Sequence, residues 1–194
     1  MNIKKQTFLL FFCFTTVGTF LHECGHALAA IMAGCGAIIH YGWTNYYRCR
    51  NNSEAWDLIK GLAGPFVNIL IGSVGFVLLS RNCRRGIRNQ EVLLAAISFF
   101  WSREIVVWVA DLFIKPYWYK NAFVSDEERA SLQLFDKPFV FSILFGVIGM
   151  LACGITVFRL LEKEKRLSFI IFGMLGSIAG YLFWFHFLGP VLLP

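Results

Sequence analysis

Residues 7–33 have the sequence TFLLFFCFTTVGTFLHECGHALAAIMA, an apolar run interrupted mainly by His22, Glu23 and His26. A helix crosses the hydrocarbon core of a bilayer with about 20 residues, so this run is long enough to span a membrane. Ionisable side chains are unfavourable inside a membrane helix and typically mark a functional site there. The run therefore predicts a first membrane-spanning helix that carries a functional group of residues.

Four further apolar stretches of similar length follow the first one. We therefore expect an all-α integral membrane protein, a bundle of about five transmembrane helices that forms a single domain over residues 1–194. The stretch Gly34–Asp57 has too few apolar residues to span a bilayer, and it should form an interfacial loop or hairpin that lines a cavity. The predicted spans cover residues 7–33, 58–80, 92–114, 138–158 and 167–193.

The composition supports a membrane protein. Of the 194 residues, 57% are hydrophobic and 15% are charged, whereas soluble domains have about 25% charged residues. A soluble domain of this size has too much surface for its volume to bury so many apolar side chains. The net charge of +6 does not indicate nucleic-acid binding, because the basic residues lie in short clusters between apolar runs. The expected surroundings are a lipid bilayer, with no nucleic acid as partner.

The basic clusters also predict an orientation. Basic residues are concentrated at positions 4–5, 81–88 and 159–166, and such clusters favour the cytoplasmic side of a membrane. We expect a multi-pass protein of a bacterial-type cytoplasmic membrane, with the amino terminus inside and Gly34–Asp57 outside. The amino-terminal run resembles a signal peptide, but cleavage near 27–30 would remove the polar group of the first helix, so we expect an uncleaved helix.

The cysteines are expected to be free thiols. They form no closely spaced CxxC pair, which excludes the usual zinc-ribbon patterns. Most of them lie inside apolar runs, where cysteine behaves as a small hydrophobic residue. The six residues are Cys13, Cys24, Cys35, Cys49, Cys83 and Cys153.

The polar group of the first helix is an HExxH motif, His22-Glu23-Cys24-Gly25-His26. Two histidines four positions apart are separated by about 40° around a helix, so both imidazoles can bind one metal ion. Glu23 can then act as general base on a water molecule at that ion. The motif predicts bound Zn²⁺, and the alternative is a pair of packed histidines that hydrogen-bond to neighbouring helices.

The segments HECGHALAA at 22–30 and GLAGPFVN at 61–68 together resemble the site-2-protease family of intramembrane zinc metalloproteases. That family typically has HExGH in one membrane helix and an AGPxxN-like segment at the start of the next core helix. The resemblance covers residues 7–114, and it implies zinc-dependent hydrolysis of peptide bonds in membrane-spanning protein substrates. It also implies that Asn68 helps to bind the substrate backbone or the oxyanion.

The sequence contains several acidic candidates for the third metal ligand. The family usually supplies it from an Asp-Gly sequence, which this chain lacks. Asp111 is the preferred candidate, because a rise of 1.5 Å per residue places it about 28 Å along the third helix, level with His26 in the first. Asp126 is the alternative, if a loop folds back into the bundle. Glu104 lies higher, at about 18 Å, and is expected to pair with Arg103.

The sequence motifs and the apolar spans are compatible with three functions. The leading hypothesis is an intramembrane zinc metalloendopeptidase with Glu23 as general base. The alternatives are an HExxH membrane hydrolase that acts on a non-peptide substrate and a catalytically silent relative that binds membrane partners. His40 and His186 are expected to be interfacial residues rather than ligands. The sequence does not identify the substrate or the oligomeric state.

Overall fold

Five helices in the structure are long and apolar enough to cross a membrane, which agrees with the predicted number and order. A sixth, shorter helix lies between the third and the fourth of them. The helices are α1 (Ile3–Met32), α2 (Glu54–Arg84), α3 (Glu91–Ile114), α4 (Asp126–Phe135), α5 (Val140–Leu160) and α6 (Lys163–Leu192). Arg85 and Arg88, in the predicted inner basic cluster, lie outside the described residues. The computed structural model describes residues 2–50, 53–84, 90–114 and 124–194.

Helix α3 is irregular, and this affects the position of its polar side chains. It contains a 3₁₀ turn at Phe99–Trp101 and ends in a π-helical turn at Ala110–Ile114. A 3₁₀ turn is tighter and a π turn is wider than an α turn, so both rotate the side chains that follow. Depths counted with a uniform rise therefore do not hold along α3, and Asp111 lies within the π turn.

The helices pack in a defined order: α6 against α1, α1 against α2, α2 against α3, and α3 against α5. The α1–α6 contact is close. A Cβ atom at Gly180 would lie 2.5 Å from the carbonyl oxygen of Phe12, and a Cβ atom at Gly176 would overlap the carbonyl oxygen of Phe8. Small residues permit such an approach, and membrane helices depend on van der Waals packing because lipid is as apolar as their side chains.

Three aromatic rings connect α1, α3 and α6 at the other end of the bundle from the HExxH motif. The rings of Phe11, Phe99 and Phe169 contact one another edge to face, with centroid separations of 5.2–5.5 Å. Edge-to-face contacts place the positive ring edge against a negative ring face, which adds to the packing energy. This cluster fixes α3 and α6 against the first half of α1.

Between α1 and α2 the chain forms the hairpin that was one of the two expectations for this stretch. Strands β1 (Gly36–Ile39) and β2 (Thr44–Tyr47) are antiparallel, with Gly36 opposite Tyr47. A disulfide bond joins Cys35 to Cys49 at the open end of the hairpin.

The disulfide corrects the expectation that all six cysteines are free thiols. Local apolar context suggested free thiols, but strand pairing brings the residues that flank β1 and β2 together. The expectation of a thiol group holds for Cys13, Cys24 and Cys153, and the thiol of Cys83 donates to the carbonyl oxygen of Leu160.

The tip of the hairpin is fixed to the end of α6. The backbone N–H of Tyr41 donates to the carbonyl oxygen of Leu193 (3.1 Å), and the Trp184 indole donates to the carbonyl oxygen of Tyr41 (2.6 Å). His40, expected to be interfacial, stacks on Trp43. The hairpin is therefore held over the end of the bundle where α1 ends and α2 begins.

The close α1–α6 contact predicts that Gly176→Leu destabilises the bundle. The added side chain must displace the α1 backbone, and overpacking of this kind lowers the free energy of unfolding by about 1–3 kcal/mol. Thermal unfolding of detergent-purified protein should show a midpoint lowered by several degrees. Gly154→Leu is the matched control, because no described atom lies within 4 Å of a Cβ at that position. An equal loss of stability in both variants would contradict the packing assigned to Gly176.

Candidate metal centre

The two histidines of the HExxH motif face the interior of the bundle, one helical turn apart on α1. His22 is 6% exposed and His26 is 5% exposed. Their Nε2 atoms lie 3.1 Å from each other. Each Nε2 atom also lies 3.2 Å from Oδ2 of Asp126 on α4. Three potential metal donors, from two helices far apart in sequence, therefore point at one another.

The spacing of these atoms fits a tetrahedral metal ion. A zinc ion with bonds of about 2.0–2.1 Å has donor atoms about 3.3 Å apart, close to the separations seen here. In the described part of the chain, His22, His26 and Asp126 form the one group of at least three His, Cys, Asp or Glu side chains whose donor atoms lie within 4.8 Å of one another. The structure thus brings together the two predicted histidines and the alternative carboxylate, Asp126.

One face of α2 supports both imidazoles, through residues spaced four positions apart. The carbonyl oxygen of Lys60 lies 2.6 Å from Nδ1 of His26, so it accepts a hydrogen bond from the Nδ1–H tautomer. The amide of Asn68 lies 3.3 Å from Nδ1 of His22. Between them, a Cβ atom at Gly64 would overlap His26 and lie 2.7 Å from Nε2 of His22. The GLAGPFVN segment therefore contains a glycine that lets α2 approach the histidines.

The orientation of the Asn68 amide follows from its hydrogen bonds. With Nδ2 facing His22, the buried Oδ1 atom has no hydrogen-bond partner among the described residues. The oxygen and nitrogen of an amide exchange places by a half-turn of the group. After the half-turn, Oδ1 of Asn68 faces His22 and accepts a hydrogen bond from its Nδ1–H group. This leaves Nε2 of His22 free to bind a metal ion. Partners of this kind orient metal-ligating histidines.

Asp111, the preferred third ligand from the sequence, makes different contacts. Its Oδ2 atom accepts hydrogen bonds from the hydroxyl groups of Ser125 (2.8 Å) and Ser142 (2.5 Å). Ser125 is the N-cap of α4, and its Oγ accepts from the backbone N–H of Glu128. Asp111 therefore holds the start of the helix whose first residue, Asp126, contacts the histidines.

Asp126 is ionised in this arrangement. Burial opposes its ionisation, but the adjacent imidazoles of His22 and His26 outweigh that effect and hold the pKa of this carboxyl group well below its usual range. An ionised carboxylate is the form that binds a metal ion.

The predicted general base, Glu23, is buried beside the histidines and is oriented by the hairpin. The hydroxyl group of Thr44, the first residue of β2, donates to Glu23 Oε2 at 2.8 Å. Thr44 Oγ1 also lies 3.2 Å from the backbone carbonyl oxygen of Glu23. Nothing in the local sequence of the hairpin indicated this role, because it depends on how the hairpin folds back over α1.

Arg103 borders the site from α3. Its Nη1 atom donates to Oε1 of Glu127 (2.7 Å) and of Glu104 (3.1 Å), so the expected pairing with Glu104 is confirmed. Its Nη2 atom lies 3.1 Å from Nε2 of His22 and 3.7 Å from Oδ2 of Asp126. The guanidinium group is therefore held at the edge of the donor triangle.

A polar cavity of about 600 Å³ reaches the site from the end of the bundle. It lies between the hairpin, the first turns of α2 and helix α4, and Asp126 is part of its wall. Burial and the nearby Asp126 and Glu23 raise the pKa of the Tyr46 phenol to about 12, so that group is a neutral hydrogen-bond donor. The lining residues are Tyr46, Glu54, Asp57, Lys60, Gly61, Asp126, Arg129 and Gln133.

The link between Asp111 and α4 predicts that Asp111→Leu frays this helix without altering a metal ligand. Loss of the hydrogen bond from the Ser125 hydroxyl group to Asp111 should destabilise the start of α4 by about 1 kcal/mol. Hydrogen–deuterium exchange of the amides of residues 126–135 should be about fivefold faster. Asp111→Asn keeps a hydrogen-bond acceptor and is the matched control, with exchange close to wild type. Unchanged exchange in Asp111→Leu would show that α4 does not depend on this contact.

No family model, curated protein or solved structure matches the chain.

Proposed function

We propose that the chain is a membrane-embedded zinc endopeptidase in which His22, His26 and Asp126 hold the ion and Glu23 is the general base. The observation that carries this proposal is the triangle of two Nε2 atoms and one Oδ2 atom, with separations of 3.1–3.2 Å. Two histidines and one carboxylate leave the fourth tetrahedral position open, which is typical of catalytic rather than structural zinc sites.

The charge around the triangle supports a divalent cation. Glu104 and Glu127 have fully buried side chains, and in the described residues the Oε2 atom of each has no hydrogen-bond partner. Both contact the same cation, Arg103. These two carboxyl groups can share a proton, so the charge that favours a divalent cation is that of Asp126, whose carboxylate faces the two imidazoles.

The chain's own residues account for the proton transfers. Bound here, zinc would supply a Lewis acid that lowers the pKa of a water molecule and polarises the scissile carbonyl group. Glu23 would accept the proton of the attacking water and deliver it to the amide nitrogen as the C–N bond breaks. The water oxygen ends on the acyl carbon, and the amine leaves. Thr44 keeps the Glu23 carboxylate oriented for both transfers.

Arg103 is the group placed to stabilise negative charge on the attacked carbonyl oxygen. Its Nη2 atom lies within 4 Å of two members of the donor triangle, while Glu127 and Glu104 fix its Nη1 atom. A donor that is held in place before the reaction stabilises developing charge without reorganisation. Asn68, to which the family resemblance assigns this role, contacts the imidazole of His22 in the structure.

The zinc content of detergent-purified variants tests the ligand set. Wild-type protein should retain about one zinc ion per chain, and His22→Ala, His26→Ala and Asp126→Asn should each lose most of it. Asp136→Asn, the same change at the other end of α4, should retain it. Asp111→Asn should also retain it, because an asparagine oxygen still accepts from Ser125 and Ser142. If the Asp126→Asn protein retained its zinc and the Asp111→Asn protein lost it, the third ligand would be Asp111.

The turnover of the same preparations tests the mechanism. Single-span peptides with polar flanking segments, reconstituted in proteoliposomes, would be assayed for cleavage by mass spectrometry. Glu23→Gln should keep its zinc and lose cleavage. Arg103→Lys keeps the charge but not the guanidinium fork, and kcat should fall by about 100-fold. Zinc retention without cleavage in the wild type would favour the silent relative or the hydrolase of non-peptide substrates.

We also propose that the protein spans the cytoplasmic membrane with its amino terminus inside and the hairpin outside. The basic clusters favour this orientation, and the Cys35–Cys49 disulfide supports it because disulfides persist in oxidising compartments. Ser53→Cys should react with an impermeant maleimide in intact cells, and Arg84→Cys should react after the membrane is opened. Labelling of Ser53→Cys from the cytoplasmic side alone would reverse the orientation.

A further inference from the structure

The polar cavity beside Asp126 lies at the surface of the predicted bilayer rather than within it. Its α2 wall consists of the first turns of the helix, where Glu54, Asp57 and Lys60 are found, and no further charged residue occurs in α2 before Arg81. Charged side chains are strongly disfavoured in the hydrocarbon core. Whatever enters this cavity therefore approaches Asp126 from the aqueous end of the bundle.

The charges of the cavity are not equivalent. Lys60 is paired with Asp57, with Nζ and Oδ1 2.7 Å apart. Asp126 is engaged by the two histidines. Arg129 is exposed, lines the cavity and has no ion pair with any described residue. Its guanidinium group is therefore the cation of the cavity that is available to a ligand.

The position of Arg129 relates it to the metal site. It follows Asp126 by three residues on α4, so the two side chains lie on the same face, about 4.5 Å apart along the helix axis. The cavity continues along α4 to Gln133, whose Nε2 atom donates to the carbonyl oxygen of Glu54 at 2.5 Å and closes its far end. From Asp126 to Gln133 is about 10 Å, the length of about three extended residues.

We propose that Arg129 binds a carboxylate group of the substrate, within one or two residues of the scissile bond. This inference rests on the proposed function, because it places the substrate's reacting peptide group at Asp126 and the histidines. The substrate segment is then a polar, acidic peptide that lies at the membrane surface, even where the rest of the substrate spans the bilayer. In the substrate of an endopeptidase this carboxylate belongs to an Asp or Glu side chain, whereas recognition of a terminal carboxylate would make the enzyme one that cleaves next to the carboxyl terminus.

A binding assay with the zinc-loaded Glu23→Gln protein tests this proposal without requiring turnover. The probes are three dansyl-labelled octapeptides that contain no charged group other than the carboxylate under test. The first has a single Asp at the fifth position and an amidated carboxyl terminus. The second has Asn in place of that Asp, and the third is the Asn peptide with a free carboxyl terminus. At least one carboxylate peptide should bind about tenfold more tightly than the amidated Asn peptide. The advantage should decrease with added salt, as expected for an exposed ionic contact.

Two further substitutions assign the effect to Arg129. Adding Arg129→Gln should bring the affinity for the carboxylate peptide down to that for the amidated Asn peptide. Arg81→Gln, an identical change at the other end of α2 and outside this cavity, should preserve the discrimination. A preference for the Asp peptide identifies a side-chain carboxylate, and a preference for the free terminus identifies a terminal one. Equal affinities for all three peptides, or discrimination that survives Arg129→Gln, would overturn the proposal.

Failure of this proposal is distinguishable from failure of the peptidase assignment. If the wild type cleaved peptides but bound the carboxylate peptides no more tightly than the amidated Asn peptide, the endopeptidase assignment would hold and the role proposed for Arg129 would be wrong. Discrimination that depends on Arg129, together with stoichiometric zinc and no cleavage, would support a carboxylate-binding cavity in a protein that is not a peptidase.

Discussion

Two imidazole rings in an apolar helix must have partners for all four ring nitrogens, and this requirement connects α1 to α2 and α4. Buried polar groups without partners are expensive in a membrane, where no water replaces a missing hydrogen bond. The Nδ1 atoms face the carbonyl oxygen of Lys60 and the amide of Asn68, both on α2. The Nε2 atoms face Asp126 on α4. The placement of α2, the folding back of α4 and the donor triangle all depend on this one pair of residues.

The long helices and the histidine pair were predictable because both depend on local sequence. A helix of about 20 apolar residues is visible without any tertiary information, and residues four positions apart share a helix face wherever the helix lies. The carboxylate that faces the histidines, Asp126, could be named from the sequence only as the alternative to Asp111. Its position depends on how α4 folds back against α1 and α2, which is a tertiary contact. One signal was present: Ser125 and Glu128 have the Ser-x-x-Glu spacing of a helix start, which marks 126 as the first residue of a helix.

The cysteine pair and the role of Thr44 were missed for the same physical reason. Both result from the pairing of β1 with β2, which brings Cys35 to Cys49. The hairpin then lies over α1, where Thr44 contacts Glu23. Short strands with exposed faces have weak sequence patterns, and their register is set by the turn and by the surfaces they cover. These tertiary contacts connect residues 14 and 21 positions apart that share no periodicity.

Asp111 and Asp126 both lie near the candidate metal site, and the choice of substitution decides whether their roles can be told apart. Truncation to alanine does not distinguish a metal ligand from a residue that supports one, whereas substitution by asparagine does. Asp111 contacts the α4 start through Ser125, so we expect the loss of its oxygen atoms to disturb Asp126, although its carboxylate contacts Ser125 and Ser142 rather than the histidines. Under the proposed zinc assignment, an alanine at either position would therefore weaken metal binding, for different reasons. An asparagine separates the two roles: it accepts hydrogen bonds as Asp111 does, but it lacks the charge that a zinc ligand in this set requires. The same logic applies to Arg103, where lysine preserves charge and removes only the fixed geometry.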